Sequence, residues 1–186
     1  MKRTKKMNTV LIVIGILIAL VFTLYTYYGG FTTIKCRVEK QGGEILVYKE
    51  MKGDYSKSGK LMNDIYYSLL NEYGVNTFKG FGIYYDNPQK VEKHQLRSEI
   101  GCIIEDSDSS KVTMIKEKFH TKVFPTKSYV VAEFPNKGKL SIFMGIMKVY
   151  PALAQFVKAN GYKDGAIMEI YDVPNHKTIY RQDILN

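Results

Sequence analysis

Glu169 and Tyr171 stand two residues apart in Ala166–Asp172, a run of β-formers closed by Val173-Pro174. A strand there sends alternate side chains to opposite faces, so Ile167, Glu169 and Tyr171 share one face while Met168, Ile170 and Asp172 share the other. Met168 and Ile170 are natural partners for helix side chains, which predicts Glu169 and Tyr171 on the open face. An earlier run, Lys79–Asp86, ends on a similar phrase: Tyr85-Asp86-Asn87-Pro88 against Tyr171-Asp172-Val173-Pro174, 86 residues apart. That alignment sets Ile83 and Tyr85 beside Glu169 and Tyr171 in one groove with two aromatic walls and a single acid. Such a groove suits a flat or cationic organic ligand, held by π contact and by charge pairing in low dielectric. The competing reading is a solvated Glu169, with the tyrosines merely capping the sheet.

Other reactive groups form no pattern of comparable promise. His94, His120 and His176 lack zinc-ligand spacing to one another or to Cys36 and Cys102. Asp106 and Asp108 sit in an acidic loop without the glycine and distal glutamate of a calcium site. Cys102 alternates with Ile100 and Ile104, the pattern of a packed thiol rather than a nucleophile. Gly80-Phe81-Gly82 lies within a strand and no helix follows it, so it is not a phosphate loop. The sequence therefore predicts no metal site, no cofactor and no catalytic residue. A Cys36–Cys102 disulfide is left open.

The elements that would position the groove are readable in outline. Glu44–Lys49 reads as a strand and Lys52–Lys57 as a turn. Leu61, Ile65, Leu69 and Tyr73 recur every four residues, predicting a helix over Ser58–Glu72 with Gly74 as its terminator. Lys79–Asp86 and Arg97–Glu105 follow as strands. The second half repeats the series: a strand at Ser128–Phe134, then a helical face from Leu140 through Phe143, Met147, Leu153 and Val157. Pro151 is expected to kink or divide that helix, and Gly161 to end it. Strands at Ala166–Asp172 and Lys177–Ile184 complete the unit. Gly59-Lys60-Leu61 also resembles Gly138-Lys139-Leu140, 79 residues on. The fold class expected is α+β: two pseudo-twofold strand-helix-strand-strand units forming one mixed sheet, with helices on one face.

Of the 186 residues, 27 are Lys or Arg and 18 are Asp or Glu, a net charge of +9. From Met7 to Ile34, however, 28 residues pass without a charge. About 20 apolar residues suffice for a helix to cross a bilayer; a cleaved signal peptide, the lesser alternative, has a shorter apolar core and a small-x-small site that Thr26-Tyr27-Tyr28 does not offer. The expected organisation is a basic flank (1–6), a transmembrane anchor (7–28), a tether (29–43) and one domain (44–186). Lys2, Arg3, Lys5 and Lys6 precede the span, leaving +5 of the charge on residues 35–186. By the positive-inside rule they favour a cytoplasmic N-terminus with the domain on the far side, periplasmic or luminal, against the counterweight of Lys35, Arg37 and Lys40. The modest charge of the soluble part and the lack of a basic cluster interleaved with aromatics argue against nucleic-acid binding.

Gly82-Ile-Tyr-Tyr-Asp-Asn-Pro88 with Leu96-Arg-Ser-Glu-Ile-Gly101, and Ala166-Ile-Met-Glu-Ile-Tyr171 after Ala159-Asn-Gly-Tyr162, resemble the two half-signatures of GyrI-like (gyrase-inhibitor-like) effector-binding domains. The resemblance covers roughly residues 44–184. The anchor, Lys122-Val-Phe-Pro125, Leu140-Ser-Ile142 and Tyr150-Pro-Ala-Leu153 look like the membrane-anchored reticulophagy-receptor branch, without its disordered tail. That branch holds its domain in the cytosol. The superfamily implies binding of a small molecule, often cationic, and Glu169 matches its acidic position while Tyr85 and Tyr171 match its motif aromatics. Two further expectations follow from the resemblance: a membrane-tethered adaptor for a protein partner, and a hydrolase of reactive small molecules with Glu169 as general base.

Overall fold

The computed structural model describes residues 2–105 and 110–185, with side chains from Met7 onward; the Asp106/Asp108 loop lies outside the described residues. Helix α1 (Lys2–Tyr27) is exposed on all sides over Met7–Tyr27. It ends where Phe31 folds back onto Phe22 and Tyr25, at ring-centroid distances of 5.6 and 5.1 Å. The domain follows as β1 (Arg37–Gln41), β2 (Ile45–Lys52), α2 (Ser58–Tyr73), β3 (Lys79–Tyr84), β4 (Arg97–Ile104) and a short α3 (Val112–Ile115). Then come β5 (His120–Val123), β6 (Lys127–Pro135), α4 (Lys139–Ala159), β7 (Ile167–Asp172) and β8 (Lys177–Asp183). Residues 37–41, expected within the tether, are thus an edge strand paired with β6. Pro151 does not divide α4: the helix runs as one element to Ala159.

One sheet holds all eight strands in the order β1-β6-β8-β7-β3-β4-β2-β5. The order is symmetric about the β7–β3 pair, as two strand-helix-strand-strand units related by a twofold require. Every described pairing is antiparallel where a mixed sheet is expected. The reason is insertion: the helix crossover leaves β2 parallel to β3, and β4 slides between them antiparallel to both, as β8 does between β6 and β7.

This sheet cannot be flat. β1 and β2 are six strand spacings apart, roughly 29 Å at 4.8 Å each, yet Gln41 and Ile45 are joined by a stretch that reaches at most about 14 Å. The link from Val123 in β5 to Lys127 in β6 poses the same problem. Both are solved by curling, which draws the two edges together. The β2–β5 ladder runs on into these links, Gly43 N–H bonding to Phe124 O and Phe124 N–H to Glu44 O, each 2.8 Å. The concave face becomes a core of its own, with Leu46, Phe81, Ile83, Ile103, Val131, Met168 and Ile170 buried together. On the convex face, α2 covers Val47, Cys102 and Ile104 with Ile65 and Leu69. There α4 covers Val130, Ala132, Phe134 and Tyr180 with Val149, Leu153 and Val157.

Candidate functional site

Because α2 lies over β4 and β3 while α4 lies over β6 and β8, the β3–β7 pair is the floor between the helices. Glu169 faces Gly82 across β3 and Tyr180 across β8, and Tyr180 belongs to the α4 core. Glu169 and Tyr171 therefore point to the helix side of the sheet. Met168 and Ile170 point into the concave core. This reverses the expected assignment, whose premise was that only the helix side is packed; a curled sheet buries both faces. Ile83 and Tyr85 line a recess of about 170 Å³ on the concave face, with Lys122, Tyr129 and Arg181. The expected quartet is thus split by the thickness of the sheet.

The cause is a slip of one residue in matching the halves. Side-chain faces alternate, so a one-residue error exchanges them all. Tyr84, 87 residues before Tyr171, is its true counterpart on the helix side. Sequence reasoning missed Tyr84 for that reason. It also missed Tyr150 of α4, although the Tyr150-Pro-Ala-Leu153 segment was itself distinctive.

What the helix side assembles is a carboxyl in a cage of phenols. Glu169 is 2% exposed. Tyr150 donates to its Oε1 at 2.8 Å and Tyr171 to its Oε2 at 2.5 Å. The Tyr171 hydroxyl also interacts with that of Tyr84, which lies 3.3 Å from Ser58 Oγ at the start of α2. Tyr55 stacks edge-on against Tyr84, centroids 4.8 Å apart. Glycines make room for these rings: a Cβ at Gly82 would fall 2.7 Å from the Tyr84 hydroxyl, and one at Gly80 would strike Met62 Sδ.

Electrostatics follow from the burial. Desolvation pushes the Glu169 carboxyl above its ordinary range, and the hydrogen bonds from Tyr171 and Tyr150 offset only part of that rise. Desolvation, reinforced by the Glu169 charge, drives Tyr150 and Tyr171 well above the usual phenol range. All the phenols are therefore protonated donors near neutral pH. The cage can stabilise one negative charge, or accept one organic cation beside it, but only if Tyr84 and Met62 move aside.

A family model described as the GyrI-like small molecule binding domain matches residues 35–185. The chain belongs to the GyrI-like family. Testis-expressed protein 264 of Homo sapiens is 30% identical over 169 residues, covering 84% of this chain and 52% of that protein. The chain spans about half the length, or less, of the curated relatives it matches. The EcmrR C-terminal domain superimposes with a TM-score of 0.57 at 14% identity, over 82% of this chain and 98% of that one. SAV2435, solved bound to tetraphenylphosphonium, gives a TM-score of 0.50 at 9% identity, over 81% and 93%. Both show the GyrI-like fold. With α1 before it, the protein is a membrane-tethered GyrI-like domain related to Testis-expressed protein 264.

Proposed function

We propose that the protein is an adaptor whose GyrI-like domain engages a protein partner at the surface of the membrane that holds α1. The observation that carries this reading is that the groove is filled from within. Met62 lies over Gly80, Tyr84 lies over Gly82, and each Glu169 oxygen already accepts a tyrosine hydroxyl. The similarity to Testis-expressed protein 264, and the resemblance to the reticulophagy-receptor branch, support the same reading. Lys2, Arg3, Lys5 and Lys6, which precede the apolar span, support placing the domain on the far side of the membrane. Protease treatment of sealed, cytosolic-face-out membrane vesicles tests that placement: protection that is lost on adding detergent supports it, and digestion in the sealed vesicles overturns it.

The adaptor reading is tested by capture of the full chain from solubilised membranes. A stoichiometric partner retained equally by wild type and Glu169→Gln supports it. Absence of any such partner overturns it.

A second reading, sensing of an organic cation, is favoured by the buried Glu169 itself, since an acid held in low dielectric pairs strongly with a charge that can reach it. In this reading Glu169, Tyr171, Tyr150 and Tyr84 contact the ligand, with Ile83 and Tyr85 left on the far side of the sheet. The ligand seen with SAV2435 supplies the probe. Tetraphenylphosphonium should raise the melting temperature of wild type and leave Glu169→Gln unmoved; equal shifts in both remove charge pairing from the mechanism.

A further inference from the structure

The two halves of the domain are twins in topology, but their helices differ on the surface they turn outward. Helix α2 buries Ile65 and Leu69, and its exposed face carries Lys60, Asn63, Asp64, Tyr67 and Asn71. That is the ordinary pattern of a helix half-sunk in a soluble domain. Helix α4 buries Ser141, Gly145, Val149, Leu153 and Val157. Its opposite face carries Leu140, Phe143, Met147, Pro151 and Ala154, all exposed, before Lys158 closes the stripe. Leu140 is 55% exposed, Phe143 61% and Met147 62%. No acidic residue occurs anywhere in α4, whose charges are Lys139, Lys148 and Lys158. Nothing in the domain's own packing explains an apolar stripe nearly four turns long.

The position of the membrane span does. The segment leaving α1 docks on the α4 half of the domain: Lys148 Nζ donates to Gly30 O. Lys137, just before α4, lies over the Tyr27 ring at 4.5 Å. Gly29 approaches Phe134, beneath α4, so closely that a methyl there would fall 2.9 Å from its ring. Tyr25, Tyr27 and Tyr28 mark the level of the headgroups. The first half of α4 is therefore held beside the point where the chain emerges from the bilayer, and α2 is not.

We infer that α4 is a second membrane contact: its Leu140-Phe143-Met147 stripe lies in the interfacial layer of the bilayer that holds α1, with Lys137 and Lys139 among anionic headgroups. Aromatic and aliphatic residues on one face with lysines at the margin are the composition by which interfacial helices bind lipid. The inference rests on α1 being the span, and it is independent of what the domain recruits.

The chain contains no tryptophan, so a single substitution installs a unique reporter. Full-length Phe143→Trp and, as a control on the outward face of α2, Tyr67→Trp are reconstituted into phosphatidylcholine/phosphatidylserine vesicles with or without dibrominated phosphatidylcholine. Phe143→Trp should show blue-shifted emission that brominated lipid quenches, and Tyr67→Trp should show neither. Leu140→Trp should repeat the result should Phe143→Trp fold poorly. Equal quenching at both helices, or none at α4, overturns the inference. A blue shift at α4 that brominated lipid leaves unquenched also overturns it, assigning the stripe to a protein partner or a second copy of the chain. Flotation with the vesicles checks the anchor separately, and a chain that fails to float overturns both.

Discussion

Tyr150 of α4 donates a 2.8 Å hydrogen bond to Glu169 of β7, tying a helix of the second unit to the strand at the symmetry axis of the sheet. Glu169 is buried, so the loss of that donor leaves a carboxyl oxygen short of a partner. Tyr150→Phe should destabilise the domain by about 1–2 kcal/mol, read as a lower denaturation midpoint with an unchanged denaturant slope.

The same carboxyl sets a pH dependence. Its folded-state pKa lies above the ordinary value of 4.5, chiefly through desolvation. The folded state thus holds the proton more tightly than the unfolded state does. The resulting stabilisation is complete below the ordinary carboxylate range and is lost as pH rises through the folded value. Glu169→Gln should abolish this decline, so its stability relative to wild type should improve from acid toward neutral pH. A constant difference across that range would show that Glu169 does not titrate abnormally.

Glu44 should behave with the opposite sign. Burial raises its pKa, but the hydrogen bond and charge of Arg181, at 2.6 Å, outweigh it and hold the carboxyl below its ordinary range. This stabilisation is present above that range and fades as pH falls through the folded value. Arg181 is 6% exposed. Arg181→Leu strands Glu44 next to the concave core and should cost about 3 kcal/mol at neutral pH, with the deficit shrinking in acid. Chemical denaturation at a series of pH values measures both.

Gly42 lies in the link that joins the two sides of the curled sheet, with a backbone φ of +117° and a Cβ position 2.2 Å from Pro125 O. Gly42→Ala should cost about 1–3 kcal/mol or more from the clash and the left-handed backbone together. Gly53→Ala, at φ +125° but with nothing within 4 Å, isolates the backbone contribution and should cost less.

Cys36 and Cys102 are both free thiols and belong to different cores, Cys36 under α4 and Cys102 under α2. Burial pushes the Cys102 thiol up to about 12. Mild oxidation should therefore yield no intramolecular disulfide. Mass spectrometry after alkylation should show Cys36 modified well before Cys102, and Cys102 only on unfolding.

The legible parts of the fold were those whose pattern is local. Leu61, Ile65 and Leu69 announce α2 by their spacing, and Ile65 and Leu69 are indeed buried. β1 (Arg-Val-Glu-Lys-Gln) and β5 (His-Thr-Lys-Val) are short, polar and at the sheet edges, so only their partners make them strands. The site was legible in its acid and in Tyr171, and illegible in its sidedness. Met168 and Ile170 read as helix-facing because they are apolar, yet a curled sheet has a second interior. Tyr150 comes from a helix that no strand periodicity can relate to Glu169.

The fifteen residues 29–43, if a flexible tether, would let the domain wander about 20 Å from its anchor. Instead β1 is stitched into the sheet and the turn at Gly29–Gly30 is clamped by Lys148. The segment is folded against the domain rather than left as a free leash, so the domain is held close to the end of α1. For the adaptor proposed above, the consequence is that a partner comes down to the membrane to be gripped.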